Sequence, residues 1–460
     1  MKISVINPPK VFNPYETFLQ IGTPSQCPGG NWPNPCDLTI CRELSNGGHN
    51  VDYVDGDNKL MEFSEVIEKT LDFSPDFVVM NSETFDYART PLSSYENVNM
   101  LVDGIKLGNP KIKAILYGYH PLVDTRGIST NFDVVVAGEG EGIVSKIVNG
   151  KKGGFFIHFV ENLDKLELPD YRFVEDVLTE CSTFAAPGLT GKFAQVIGSR
   201  GCSRRCVFCF RGGTGDRVRF MSPQRVYNEL KMLHDQGCDS IYFIDDSWGI
   251  DSRWGEKVCE KVKDLGMKFA CQSRPDIMKN EKLVKEMGKA GFVNVGMGIE
   301  TYSDSVLRKI HKGGSTEDID KAMDVLYNNG MSVIPFLMIG LPGHTMEDID
   351  KTEEFLQKNE DKIAGAGGFL TVPYPMTPMW KEITGQVGGD VMMALDMAGL
   401  RLNSLGLGDA VEARELWYKL DRHWGRGADV LSQVKKHRPN IYSRWVEYVK
   451  LHDLEERFGL

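Results

Sequence analysis

The chain is 460 residues long, 41% hydrophobic and 25% charged, and no apolar run approaches the roughly 20 residues of a membrane helix. At roughly 100 to 200 residues per domain its length calls for two or three cores, and a formal charge of -11 argues against a broad nucleic-acid footprint. The opening MKISVINPPK lacks the apolar stretch and cleavage site of a secretory signal, so a cytoplasmic location is expected.

From residue 2 to about 148, β-rich runs alternate with helical patterns. ISVINPP, VDYVDGD, DFVVMNSE, IKAILYGYH and DVVVAGEGE are the predicted strands, and their alternation with helices predicts a doubly wound, Rossmann-like α/β domain over 1–148. Ligands of such sheets sit at the carboxyl ends of the strands, where Asn7, Ser82, Glu83, Gly118, His120 and Gly138 to Glu141 fall. Dinucleotide binding is the rival reading, but no G-x-G-x-x-G follows the first strand.

Residues 149–192, with GKKGG, LPDYRF and a Pro/Gly segment, lack clear periodicity and read as a linker with some local order. A second alternating series occupies 193–379. Its predicted strands are FAQVIGS, SIYFIDDS, KFACQSR, VNVGMGIE, SVIPFLMIG and GFLTVPYP, separated by amphipathic stretches such as 222–237, 280–290 and 316–329. Six βα units fit a partial (β/α)6 barrel. Strand signals end after Pro378, and 380–460 read as a small helical domain containing Trp417, Trp424 and Trp445, with the run Lys435, Lys436, His437 and Arg438 as a solvated face.

Of ten cysteines, Cys202, Cys206 and Cys209 crowd into eight positions, in the loop RGCSRRCVFCF that follows strand FAQVIGS. In a reducing compartment such crowding marks metal or redox chemistry. Cys27, Cys36, Cys41, Cys181, Cys238, Cys259 and Cys271 are scattered and read as thiols without a role. A structural zinc site wants four ligands in paired knuckles, and no second pair or nearby His completes one, so zinc is the weaker reading. Three cysteines on a four-iron cluster leave one iron without a protein ligand, and an open position is what a catalytic metal centre offers its substrate.

The pattern Cys202-x-x-x-Cys206-x-Phe208-Cys209 resembles the signature of the radical S-adenosylmethionine (SAM) superfamily, Cys-x-x-x-Cys-x-aromatic-Cys, without departure. The resemblance implies a [4Fe-4S] cluster on Cys202, Cys206 and Cys209 as the catalytic centre. It further implies that the open iron chelates the methionine group of SAM, and that electron transfer cleaves SAM to a 5'-deoxyadenosyl radical that abstracts hydrogen. By the same resemblance SAM meets Phe208, Asp245 and Ser247 of Asp245-Asp246-Ser247, Gln272 and Arg274 of Gln272-Ser273-Arg274, Glu300 of Gly296-Met297-Gly298-Ile299-Glu300, and Ile339 and Gly340 of Ile339-Gly340-Leu341-Pro342-Gly343. From the residues alone, Arg274 and Glu300 also read as an internal ion pair, and the glycine run as a plain turn. The segment Pro373 to Pro378 resembles the branch's sixth-strand segment but carries Met376 where glycine is usual.

A doubly wound domain ahead of such a barrel resembles the cobalamin-binding branch, that of the class B radical SAM methyltransferases, with Asn7-Pro8-Pro9, Gly118-Tyr119-His120-Pro121 and Gly138-Glu139-Gly140-Glu141 matching recurring segments. The resemblance implies cobalamin as a cofactor, met by Asn7, Pro8, Ser82, Glu83, Gly118, Tyr119, His120, Gly138, Glu139, Gly140 and Glu141. The lower-ligand motif Asp-x-His-x-x-Gly is absent, so His120 is expected as a wall or hydrogen-bonding residue rather than a cobalt ligand. The expected activity is methyl transfer from methylcobalamin to an unactivated carbon, with ring closure or carbon-carbon coupling as the alternative. A cobalamin sensor with a redox-switch cluster explains neither the strand ends nor the open iron, and the spacing of Cys27, Cys36 and Cys41 does not suit a methylthio-transferring enzyme. Expected partners are an external electron donor of flavodoxin or ferredoxin type and a substrate that is a small molecule, a lipid or a peptide side chain; nucleic acid is not expected.

Overall fold

The computed structural model describes residues 1–9, 33–59, 61–82, 94–150, 153–175, 187–210, 217–365 and 367–385. In the first sheet, β1 (Lys2–Asn7), β3 (Phe77–Asn81) and β4 (Lys113–Gly118) are buried along almost their whole length. Runs of Val, Ile and Leu suit strands covered on both faces, as parallel sheets require. With β2 (Asn50–Asp55), β5 (Val134–Gly138) and β6 (Gly154–His158) they form a parallel sheet in the order β2-β1-β3-β4-β5-β6. The chain leaves β1 toward one edge, then crosses back and proceeds toward the other, so the strand order reverses between β1 and β3 and opens a crevice at their carboxyl ends.

Alternation along the strands divides the core between the two faces. Ile3, Val5, Val79 and Ile115 pack with Leu38, Ile40 and Leu44 of α1 (Pro35–Asn46), while Ile6, Val78, Met80 and Leu116 pack with Val66 of α2 (Phe63–Phe73) and Val98, Leu101 and Ile105 of α3 (Ser94–Gly108). The segment expected as a linker over 149–192 instead supplies the edge strand β6. Phe155 and Ile157 of β6 are exposed, so its apolar residues carry no alternating inside-outside signal. The same segment sends the buried Tyr171 and Val174 into a hydrophobic cluster that contains residues of both sheets.

The second sheet begins with β7 (Phe193–Val196), after which a short antiparallel ladder joins β8 (Ser199–Arg200) to β9 (Arg219–Phe220). Then β10 (Ser240–Phe243), β11 (Lys268–Ser273), β12 (Phe292–Glu300), β13 (Ser332–Ile339) and β14 (Gly367–Leu370) follow, each parallel to and beside the preceding strand of the sheet. This is the six-stranded partial barrel that the sequence predicts. Its crossover helices start where short polar side chains cap them: Ser222 and Asn280 accept from backbone N–H groups, and Ser315 with Asp318 and Thr345 with Asp348 form capping boxes. The expected helical tail is entered by Pro378–Thr384; residues 386–460, with Trp417, Trp424, Trp445 and the basic run at 435–438, lie outside the described residues. No described helix is long and apolar enough to cross a membrane.

Candidate active site

The cysteine loop leaves β7 through Gly198-Ser199-Arg200-Gly201, and two carboxylates at the end of β10 fix that exit. Asp245 accepts from Gly198 N at 2.9 Å and Ser199 Oγ at 2.6 Å, and Asp246 accepts from Gly201 N at 2.7 Å. Burial pushes the Asp245 carboxyl up to about 7 against the pull of these hydrogen bonds. Asp245, expected at SAM, therefore has both oxygens engaged by the loop's own backbone and by Ser199. Gly198 is required here, because a Cβ would stand 2.8 Å from the Trp254 ring. Farther along, Val207 N donates to Ile310 O and Met379 N donates to Val207 O, both at 3.0 Å, so the loop is held from two further elements.

Cys206 is buried, Cys202 half-buried and Cys209 exposed. Arg274, at the end of β11, donates Nη1 to Cys206 Sγ at 3.5 Å and Nε to Asp276 at 2.9 Å, and also reaches the carbonyl of Lys312 through Nη2. Through these contacts the guanidinium ties the end of β11 to the middle of the cysteine loop. Three free cysteines on one loop have the donor chemistry that a four-iron cluster takes.

Glu300 ends β12 and pairs with Lys312 at 2.5 Å, both buried, so the Arg274–Glu300 pair does not form and each residue takes another partner. Gly296 and Gly298 lie on the same side of β12, one leaving room for the Phe336 ring and the other for the Lys312–Glu300 pair: a Cβ would meet them at 2.7 and 2.8 Å. Of the other expected SAM residues, Ser247 is buried and its Oγ has no hydrogen-bond partner, Gln272 and Phe208 are half-buried, and Ile339 is buried beside Gly340, whose φ is 86°. Next to Glu300, Thr301 Oγ1 stands 3.2 Å from His344 Nε2, and burial pushes that imidazole down to about 4, leaving it neutral at pH 7. Lys312, Thr301 and His344 carry no motif and escape a reading of the sequence; only the fold brings them to the strand ends.

In the first sheet, Asn7 Nδ2 donates to Asp55 at 2.8 Å, and Pro8 is buried. Ser82 Oγ is buried without a hydrogen-bond partner beside Gly118, whose Cβ would stand 2.1 Å from it. Glu83 lies outside the described residues. His120 is buried and stacked on Tyr95, with ring centroids 3.7 Å apart, and burial pushes its imidazole down to about 4. Gly138 admits the backbone of His158, and Gly140 admits the Tyr117 ring.

Glu139 and Glu141 face the barrel. Glu139 pairs with Arg219 at 2.7 Å and Arg200 at 3.3 Å and accepts from Tyr119 Oη at 3.0 Å and Val160 N at 2.6 Å, while Glu141 pairs with Arg200 at 2.6 Å. Although burial opposes ionisation, Arg200 and Arg219 hold the Glu139 carboxyl well below the usual carboxylate range. Arg200 stands two residues before Cys202, so the carboxyl edge of the first sheet is joined to the entry of the cysteine loop.

Residues 196–356 match the family model of the Radical SAM superfamily. This chain carries a radical SAM domain. The domain implies a [4Fe-4S] cluster and SAM, consistent with the loop just described. An uncharacterized methyltransferase of Pyrococcus horikoshii is 27% identical over 374 residues, 75% of this chain and 78% of the relative. The anaerobic magnesium-protoporphyrin IX monomethyl ester cyclase of Rubrivivax gelatinosus is 24% identical over 394 residues, 78% of this chain and 67% of the relative. Among solved structures, the cobalamin-dependent radical SAM enzyme OxsB, with aqua-cobalamin and SAM bound, superposes with a TM-score of 0.64 at 14% identity, over 99% of this chain and 75% of OxsB. The radical SAM domain here thus follows a Rossmann-like unit in an architecture that OxsB shares.

Proposed function

We propose that this chain is a cobalamin-dependent radical SAM methyltransferase that places a methyl group on an unactivated carbon. The observation that carries the reading is the join between the two units: the carboxyl end of β5, on the same edge of the sheet as the crevice between β1 and β3, is ion-paired through Glu139 and Glu141 to the strand that enters the cysteine loop. A cofactor on the first sheet would then lie next to the radical source. Ser82 Oγ, buried and without a partner beside Gly118, fits a corrin that brings its own amide groups. Glu139 is committed to Arg200 and Arg219 and Asn7 to Asp55, so their part is to shape the cofactor's edge rather than to bind it directly, and stacked His120 is a wall residue.

When bound, the cluster and SAM supply a 5'-deoxyadenosyl radical and cobalamin supplies the methyl group. The chain's own residues do the rest. Cys202, Cys206 and Cys209 hold the cluster, Arg274 fixes Cys206, and Ser247, Gln272, Gly340 and the Lys312–Glu300 pair line the SAM side. Holding reactants in register contributes up to about 7 to 11 kcal/mol in the best cases. An external one-electron donor of flavodoxin or ferredoxin type and a small-molecule, lipid or peptide substrate complete the scheme, in the reducing cytoplasm.

A second reading, ring closure or carbon coupling without methyl transfer, is favoured by the likeness to the cyclase of Rubrivivax gelatinosus. Anaerobic reconstitution with iron, sulfide and cobalamin, followed by mass spectrometry of the SAM products, tests both. Formation of 5'-deoxyadenosine together with S-adenosylhomocysteine, lost in a Cys202→Ala, Cys206→Ala, Cys209→Ala variant, is the expected result. Deoxyadenosine alone in the presence of a converted substrate supports the second reading, and failure to assemble a cluster overturns both.

A further inference from the structure

Four acidic and basic side chains, Glu139, Glu141, Arg200 and Arg219, are each at least nine-tenths buried and meet where the two units touch. Arg219 grips Glu139 with both terminal nitrogens, at 2.7 and 2.8 Å, and adds Val160 O at 2.6 Å. Arg200 spans Glu139 and Glu141 and also donates Nη2 to Cys36 Sγ at 3.5 Å, at the first turn of α1. Arg200 and Arg219 face each other in the β8–β9 ladder that brackets the cysteine loop. One carboxylate oxygen of Glu141, Oε2, is buried without a hydrogen-bond partner. A buried charge is costly unless paired, and such networks are stiff because each member is held by several others.

We propose that Arg200 is a positioning residue through which occupancy of the first sheet's ligand edge is felt at the cluster: a donor from the ligand reaching Glu141 Oε2 changes how Glu141 holds Arg200, and Arg200 sets the entry of the loop that carries Cys202. The inference rests on the reading of the chain as a cobalamin-binding radical SAM enzyme. Two sites joined by a rigid, ion-paired strand satisfy the physical requirement for coupling, and coupling must be reciprocal: if cobalamin tightens SAM, SAM tightens cobalamin by the same factor.

The test is a thermodynamic box on the reconstituted full chain. SAM affinity is read from the change in the electron paramagnetic resonance signal of the reduced cluster as SAM is added, with and without saturating hydroxocobalamin. Cobalamin affinity is read from its absorbance with and without SAM. In the wild-type protein each ligand is expected to shift the affinity of the other by the same factor, roughly 5- to 150-fold. In Arg200→Lys, which keeps the charge but loses the fork that spans two carboxylates, and in Glu141→Gln, the factor is expected to fall to about one, whatever happens to each affinity alone. A merely structural role would weaken both affinities and leave their ratio unchanged, and that outcome overturns the proposal, as does a factor of one in the wild type. If Arg200→Lys does not fold, Glu141→Gln decides. Wild-type protein that assembles its cluster but takes up no cobalamin overturns the functional reading itself, which distinguishes that failure from binding without coupling.

Discussion

Glu300, the last residue of β12, and Met376, in the segment between β14 and the helix Pro378–Thr384, both hold left-handed backbone, each with φ of 66°. A non-glycine residue there costs about 1 to 3 kcal/mol, and such strain gathers at ligand sites. For Glu300 the pairing with Lys312 offsets it; Met376 is 41% exposed, and its φ explains why glycine is the residue usually expected at that position. Asp37, in α1, makes a different kind of residue-scale case. It is buried, takes a hydrogen bond from Tyr117, and leaves Oδ2 without a partner, and burial pushes its carboxyl up to about 8. Because the folded state holds this proton more tightly than the unfolded chain does, the stability it contributes is fully present below about pH 4 and is lost as pH rises toward 8. Replacing Asp37 by Asn should remove up to about 1.4 kcal/mol per pH unit of that slope, read as urea midpoints between pH 4 and 8. A variant with an unchanged slope would show that Asp37 is ionised in the fold.

At the scale of elements, glycines at strand ends serve two purposes that the sequence does not separate. Gly138 reads as a ligand-side glycine, yet its φ is 111° and a Cβ would stand 2.4 Å from His158 O, so its bareness is what lets β6 dock on β5. Gly138→Ala should therefore destabilise the protein by about 1 to 3 kcal/mol, measured by urea denaturation, with faster hydrogen exchange in residues 154–158. Unchanged exchange there would assign Gly138 to the ligand instead. Strands β1, β3, β4 and β5 were legible because parallel strands buried on both faces are near-continuous runs of Val, Ile and Leu, and the helices because capping residues precede amphipathic periods. Strand β6 was not legible: at a sheet edge its Phe155 and Ile157 stay in solvent, so burial imposes no alternation on them.

For the whole molecule, the hydrophobic cluster that holds Ile3 and Val5 also holds Val196 and Phe243, so the two units share a core as well as the ion pairs of Glu139 and Glu141. Removing one partner from a buried pair leaves the other charge uncompensated, at a cost of about 3 to 5 kcal/mol. Glu139→Gln, which strands the two-pronged grip of Arg219, should lower the denaturation midpoint by an equivalent amount, followed by tryptophan fluorescence from Trp248 and Trp254 and by far-ultraviolet circular dichroism. A shift below about 1 kcal/mol would mean that water reaches this junction and screens the pair.

The sequence by itself determined the three-thiol loop, the two alternating βα series and the glycines at their strand ends, because local spacing and periodicity are properties of neighbouring residues. Only the tertiary structure decided the partners. Asp245 holds the entry of the loop through Gly198 and Ser199, Glu300 took Lys312 instead of Arg274, and Glu139 and Glu141 closed on Arg200 and Arg219. Each of these choices joins groups distant in the chain, and which carboxylate meets which cation is settled by where buried charges can find compensation once the sheets have packed.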